Sequence, residues 1–362
     1  VGAAVLMALT VSAVRDAVPK ERTGSAMGMF GTMSAIGTAS GLSLGGLSIA
    51  AFGWPSIFLA LVPLGVLAAV LTVRLPDPGR AGPPAERAGG TDLPGVVLLG
   101  ATVAAYALAM TADGGGATPA NGVLLALAAL GAGLFVAVER RARHPLVPPA
   151  AFRNVGFVAG LAGNALVATV MMATLVVGPF YLAYGLGLGP AGVGLAMAVG
   201  PVISVLTGVP AGRATDRFGA PATRLFGLAQ MVAGCVALAL ASSSFSLLGY
   251  LAAVVVLTPG YQLFQAANNT AVMIDVDEAQ RGAFAGLLNL SRNLGLITGA
   301  SAMGTVFVVA VGTADMAAAT PAEIGVGMAV AFGLAGGLMG VAVGLAAAAG
   351  RRQRSLQSRS DS

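Results

Sequence analysis

Charge is scarce in this 362-residue chain: 9% of its residues are Asp, Glu, Lys or Arg, against roughly a quarter in a soluble domain. A soluble fold of this length needs more charge to cover its surface, so a globular cytosolic enzyme is excluded. Cysteine is confined to Cys235, which excludes a disulfide scaffold. Histidine is confined to His144, so no cluster with metal-ligand spacing exists, and no nucleotide-cradling motif is present. The Gly114-Gly115-Gly116 run follows no strand and reads as an external turn. No basic start precedes the first apolar run, so no secretory signal peptide is visible. Disorder is excluded by an apolar content of 57%.

What fills the chain is long hydrophobic runs. A bilayer core about 30 Å thick is spanned by a helix of roughly 20 apolar residues, because unpaired backbone groups are not tolerated in lipid. Eleven runs meet or approach that length: Val1–Val14, Gly24–Phe52, Trp54–Val73, Leu93–Met110, Asn121–Val138, Val155–Tyr181, Pro190–Ala211, Thr223–Ala241, Leu247–Ile274, Ala283–Val311 and Ile324–Gly350. A membrane β-barrel requires short segments alternating apolar and polar, and none alternates. The fold class is therefore all-α, a polytopic membrane protein.

The few charges set its orientation. Of the 19 basic residues, all but Arg292 fall in every second loop or in the tail. Arg15, Lys20 and Arg22 follow the first run, Arg74, Arg80 and Arg87 the third, and Arg140, Arg141, Arg143 and Arg153 the fifth. Arg213, Arg217 and Arg224 follow the seventh, Arg281 the ninth, and Arg351, Arg352, Arg354 and Arg359 the last. The intervening loops carry only Asp113, Asp315 and Glu323. By the positive-inside rule the basic loops and the C-terminus are cytoplasmic. The basicity belongs to topology, so a nucleic-acid partner is not expected.

An internal repeat organises the runs. Asp16 stands to Asp275 as Arg22 stands to Arg281, at one constant offset, and Gly37 and Gly41 stand to Gly295 and Gly299 at an offset one smaller. The first run matches the ninth and the second the tenth. Four parts follow: residues 1–73 as the last three helices of an N-terminal six-helix bundle, and 74–154 as a cytoplasmic tether with two inserted helices. Residues 155–350 form a C-terminal six-helix bundle, and 351–362 a disordered basic tail. On this reading three helices are expected ahead of Val1, eleven spans being retained of fourteen. Two related bundles with a site between them are a transporter architecture.

These residues resemble the major facilitator superfamily, and the layout resembles its fourteen-span drug:proton antiporter branch. Val1-Gly2-Ala3-Ala4 resembles the end of that family's basic fourth-helix motif. The Gly37–Gly46 segment resembles the antiporter signature, although Leu42 stands where that signature has Pro. Gly212-Arg213-Ala214-Thr215-Asp216-Arg217-Phe218-Gly219 resembles the second copy of the cytoplasmic Gly…Asp-Arg…Gly loop. The resemblance implies alternating access, export of small amphipathic compounds against inward proton flow, and a cavity lined by the sixth, seventh, ninth and tenth helices. It implies no cofactor beyond the proton gradient, and a monomer in the cell membrane whose partners are lipid, a small-molecule substrate and protons.

The candidate residues carry competing readings. Gly37, Gly41, Gly45 and Gly46 bare one helix face, either as a bearing surface between bundles or as static packing. Arg15, Asp16, Arg22, Asp275 and Arg281 form the repeated loops. Gly212, Asp216, Arg217 and Gly219 form an inner latch, with Asp216 near the N-terminus of the next helix or paired across the interface, or else a solvated loop. Candidate cavity residues are Asn164 in the sixth run, the stripe Tyr261, Gln265 and Asn268 in the ninth, and Asn289, Arg292 and Asn293 in the tenth. Asn268 is open to a capping role instead. Arg292 is the only charge deep inside a run; it binds an anionic substrate group, pairs with a carboxylate, or snorkels. No Asp or Glu lies well inside any run, so a proton carrier is expected in the preceding helices. A metabolite facilitator or importer, and a non-transporting sensor or inactive truncated transporter, are the alternatives.

Overall fold

A computed structural model of the chain describes residues 18, 19, 22–33, 36, 37, 52, 53, 55–74, 93–112, 118–142, 149–244, 246–274, 276 and 280–360. Those residues form α1 (23–33), α2 (Pro55–Arg74), α3 (Leu93–Thr111), α4 (Pro119–Glu139), α5 (Val155–Phe180), α6 (Pro190–Phe218), α7 (Ala220–Ser244), α8 (Leu247–Met273), α9 (Arg281–Val311) and α10 (Pro321–Ser360). No strand occurs among them. Eight helices among the described residues, α3 to α10, are long and apolar enough to cross a membrane, and α2 contributes the shorter apolar stretch Phe58–Leu71. The run Val1–Val14 lies outside the described residues.

Local chemistry sets the helix ends. Asn154 accepts hydrogen bonds from the amides of Gly156 and Phe157 at 2.9 and 3.2 Å and so caps α5. At α10, Thr320 and Glu323 form a reciprocal pair: the Thr320 amide donates to Glu323 and the Glu323 amide to the Thr320 hydroxyl. Gly219, at φ +83°, and Gly312, at φ +87°, end α6 and α9 in conformations that residues with a Cβ rarely adopt.

Two boundaries differ from the sequence expectation for one physical reason. The seventh run stops at Ala211, yet α6 continues through Arg213 and Arg217 to Phe218, so the segment Gly212–Phe218 is helix rather than loop. The eleventh run stops at Gly350, yet α10 is helical to Ser360, so the tail is not irregular along that stretch. An apolar run measures how much of a helix lies in lipid; charged residues end the run without ending the hydrogen-bond ladder.

The core lies among α5, α7, α8, α9 and α10. Tyr181, Met231, Cys235, Leu257, Phe264, Phe307 and Phe332 are fully buried there. Helix α10 presents Ile324, Met328, Ala331, Ala335, Met339 and Ala342 inward at helical spacing, so one of its faces belongs to the core. Helix α8 packs on α7 and α6, α9 packs on α5, and α3 and α4 pack on each other. At the α5–α9 seam, a Cβ on Gly295 or Gly299 would collide with the Ala165 or Thr169 carbonyl oxygen. Only glycine permits this approach, and close backbone packing is what holds helices together where lipid is as apolar as leucine.

Candidate functional site

The helices around α8 enclose a cavity of about 230 Å³. Its walls come from α1 (Met27, Phe30, Gly31), α5, α6, α8 and α9. Most of the wall is apolar, including Met171, Met197, Leu257 and Leu296. Set into it are Asn164, Ser204, Thr258, Tyr261, Gln262, Gln265, Asn269, Asn289 and Arg292. Among the described lining residues Arg292 is the only charge.

Five of the seven candidate cavity residues line this space: Asn164, Tyr261, Gln265, Asn289 and Arg292. Asn268 does not. It is fully buried and donates to the Gly160 carbonyl at 3.2 Å, tying α8 to α5. Asn293 does not either; it is exposed and donates to the Asn289 carbonyl at 2.8 Å. One stripe at i, i+4 and i+7 holds both cavity residues and a residue of the helix seam, because a stripe about 100° wide spans both. Gln262 and Asn269, which the first stripe omits, form with Gln265 a second one at i, i+3 and i+7. That spacing is the signal that finds them.

The polar side chains serve two purposes. Some stitch helices together: Asn164 donates to the Leu288 carbonyl at 2.9 Å, Thr169 to the Gly295 carbonyl at 3.0 Å, and Gln262 to the Ser204 carbonyl at 2.8 Å. Gln265 donates to the Tyr261 hydroxyl at 3.4 Å, and its own Oε1 is buried with no partner. Arg292 lies ~16 Å along α9 from Arg281, at 1.5 Å rise per residue. It is half-buried, and no described residue gives it a hydrogen bond or an ion pair.

At the arginine-bearing end, α1 crosses α6 backbone against backbone. A Cβ on Gly28 would strike the Gly208 carbonyl, and one on Gly212 the Gly24 carbonyl. Immediately beyond the crossing, Asp216 accepts from the amides of Gly24 and Ser25 at 2.7 and 2.8 Å and from the Ser25 hydroxyl. Asp216 therefore meets a helix N-terminus, where unsatisfied amides and the helix dipole favour negative charge. The helix is α1, far away in sequence, and not the following helix α7. Arg217 lies over the Phe218 ring at 5.3 Å, Arg281 donates to the Val276 carbonyl at 3.4 Å, and Arg22 is exposed at the start of α1. Gly37 is exposed, and no atom of the described residues lies near the position of an added Cβ. Arg15, Asp16, Gly41, Gly45, Gly46 and Asp275 lie outside the described residues.

Comparison with known proteins supplies the context. The family model described as Major Facilitator Superfamily matches residues 1–300. The riboflavin transporter RibZ of Clostridioides difficile is 30% identical over 309 residues, 85% of this chain and 65% of that protein. The drug efflux pump JefA of Mycobacterium tuberculosis is 30% identical over 324 residues, 86% of this chain and 61% of that protein. The chain thus spans less than two thirds of the length of these curated relatives. The crystal structure of the nucleoside transporter NupG aligns with 95% of this chain and 87% of its own, at 14% identity and a TM-score of 0.45.

Proposed function

The chain belongs to the Major Facilitator Superfamily, and from that premise we propose that it is a secondary transporter, not an enzyme, exporting small amphipathic compounds against inward proton flow. The observation that carries this reading is the cavity itself: an apolar wall with inset amides and one guanidinium, enclosed between α1 and the helices α5, α6, α8 and α9. Such a lining suits a ligand with an apolar body and a few polar groups. The relative named as a drug efflux pump supports the direction of transport.

The contact between Asp216 and the α1 N-terminus is the closed cytoplasmic clasp of an alternating-access cycle. The positive-inside distribution supports a cytoplasmic location for that end and for the C-terminus. Residues 155–350 act as one half of the rocking pair, α1 and α2 belong to the other, and the working unit is a monomer in the cell membrane. Replacing Asp216 with Asn removes the charge from the clasp and halves its acceptor capacity, so the closed state loses about tenfold in population. Distances between spin labels on α1 and α6 measure that shift; an unchanged distribution removes the clasp from the cycle.

Everted vesicles containing the full chain test the whole reading. Amphipathic dye enters them when a proton gradient, acid inside, is imposed, and accumulation stops when the gradient is collapsed. Accumulation indifferent to the gradient would favour a second reading, movement of a small metabolite without proton coupling. The relative named as a riboflavin transporter supports that alternative.

A further inference from the structure

We infer that the cavity selects amphipathic organic anions, with the Arg292 guanidinium as the seat of the acidic group; the inference rests on the transport reading only in taking this cavity as the substrate site. Arg292 lines the cavity and has no hydrogen bond or ion pair to any described residue. Among the described lining residues there is no Asp or Glu to neutralise it. A cation that no described lining residue compensates is unfavourable in a largely apolar wall, and a bound anion relieves it. Guanidinium also presents a planar fork of donors that matches a carboxylate or sulfonate in a paired arrangement.

The surroundings support the same occupant. Asn289, one turn before Arg292 on α9, donates to the Ala285 carbonyl at 3.1 Å, which leaves its own side-chain carbonyl available. Gln265 and Asn269 on α8 add amide groups to the same wall. These groups hydrogen-bond neutral polar atoms next to the acid without cancelling the cation. Met171, Met197, Leu257 and Leu296 supply the apolar surface for a hydrophobic body. A lipophilic cation meets the opposite situation, since its charge is repelled by Arg292 and finds no carboxylate among these residues.

Three probes of nearly one shape test the assignment: 9-anthracenecarboxylate, 9-anthracenecarboxamide and (9-anthracenylmethyl)trimethylammonium, titrated by fluorescence against the full chain in lipid nanodiscs. The carboxylate binds at least ~10-fold more tightly than the carboxamide, as a charge-assisted paired contact allows, and the ammonium binds weakest. In Arg292→Gln the carboxylate-to-carboxamide ratio falls to about one, while Arg292→Lys retains part of it as a point charge. Equal or stronger binding of the ammonium by the unmodified chain overturns the inference, as does an undiminished ratio in Arg292→Gln. The unmodified chain alone decides the matter if the variants do not fold. Flux of the same probes into vesicles separates the two readings. An anion preference without passage of any probe overturns transport and keeps the anion seat; passage of the ammonium without an anion preference does the reverse.

Discussion

Helices α2 and α8 are both apolar enough for lipid, yet they hold opposite positions in the molecule. Among the described residues none covers α2 from Phe58 to Leu71, and nothing polar interrupts that stretch. Helix α8 is buried along most of its length and carries Tyr250, Thr258, Tyr261, Gln262, Gln265, Asn268 and Asn269. In a water-soluble protein the assignments would be reversed. Here the surrounding solvent is hydrocarbon, so an exposed leucine is at no disadvantage and a polar side chain must find a partner or a wet space inside. Polarity within these helices is therefore a map of seams and cavity.

The contrast can be broken first with glycines. Gly260 of α8 faces the Gly227 carbonyl so closely that an added Cβ would lie 2.8 Å from it, whereas Gly65 of α2 has no atom of the described residues within 4 Å of that position. Gly260→Leu is expected to destabilise by about 3 kcal/mol through overpacking against α7, and Gly65→Leu by under ~0.5 kcal/mol. Unfolding in mixed micelles measures both, and equal losses would abolish the distinction. Next, Leu64→Arg places a charge midway along the apolar stretch of α2 and should cost ~3 kcal/mol of insertion free energy, read as the fraction of chain recovered in the membrane. The smallest contrast pairs a seam residue with a lipid-facing one. Asn268→Ala breaks the bond to Gly160 and should lose ~1 kcal/mol; Val62→Ala should fall within ~0.5 kcal/mol of no change.

Much of this arrangement is legible in the sequence, and what is not has a common cause. The run Leu93–Met110 is helix Leu93–Thr111, and Val155–Tyr181 is helix Val155–Phe180 with a wider turn, Tyr181–Gly185, beyond it. Hydropathy finds such segments because lipid enforces a length. It says nothing of the stretches outside lipid, which is why the last turns of α6 and the end of α10 read as loop and tail. Within the site, one-helix periodicity groups Asn268 with Tyr261 and Gln265, although Asn268 faces Gly160 of α5. Facing surfaces belong to pairs of helices, and a single stripe carries no information about its opposite. The Asp216 contact shows the same limit: the sequence puts a carboxylate in a loop, near the start of the next helix or paired across the interface, while the amides that it meets come from residues 24 and 25.

The α3–α4 hairpin meets the bundle along α9, where the Tyr106 hydroxyl lies 2.5 Å from that of Thr298. Thr298 is under two turns from Arg292 on the same rod. The hairpin is thus an outrigger lashed to the helix that carries the guanidinium. On the transport reading proposed above, a dye attached to α4 would move with α9 and report the cycle as a change in its distance from α1.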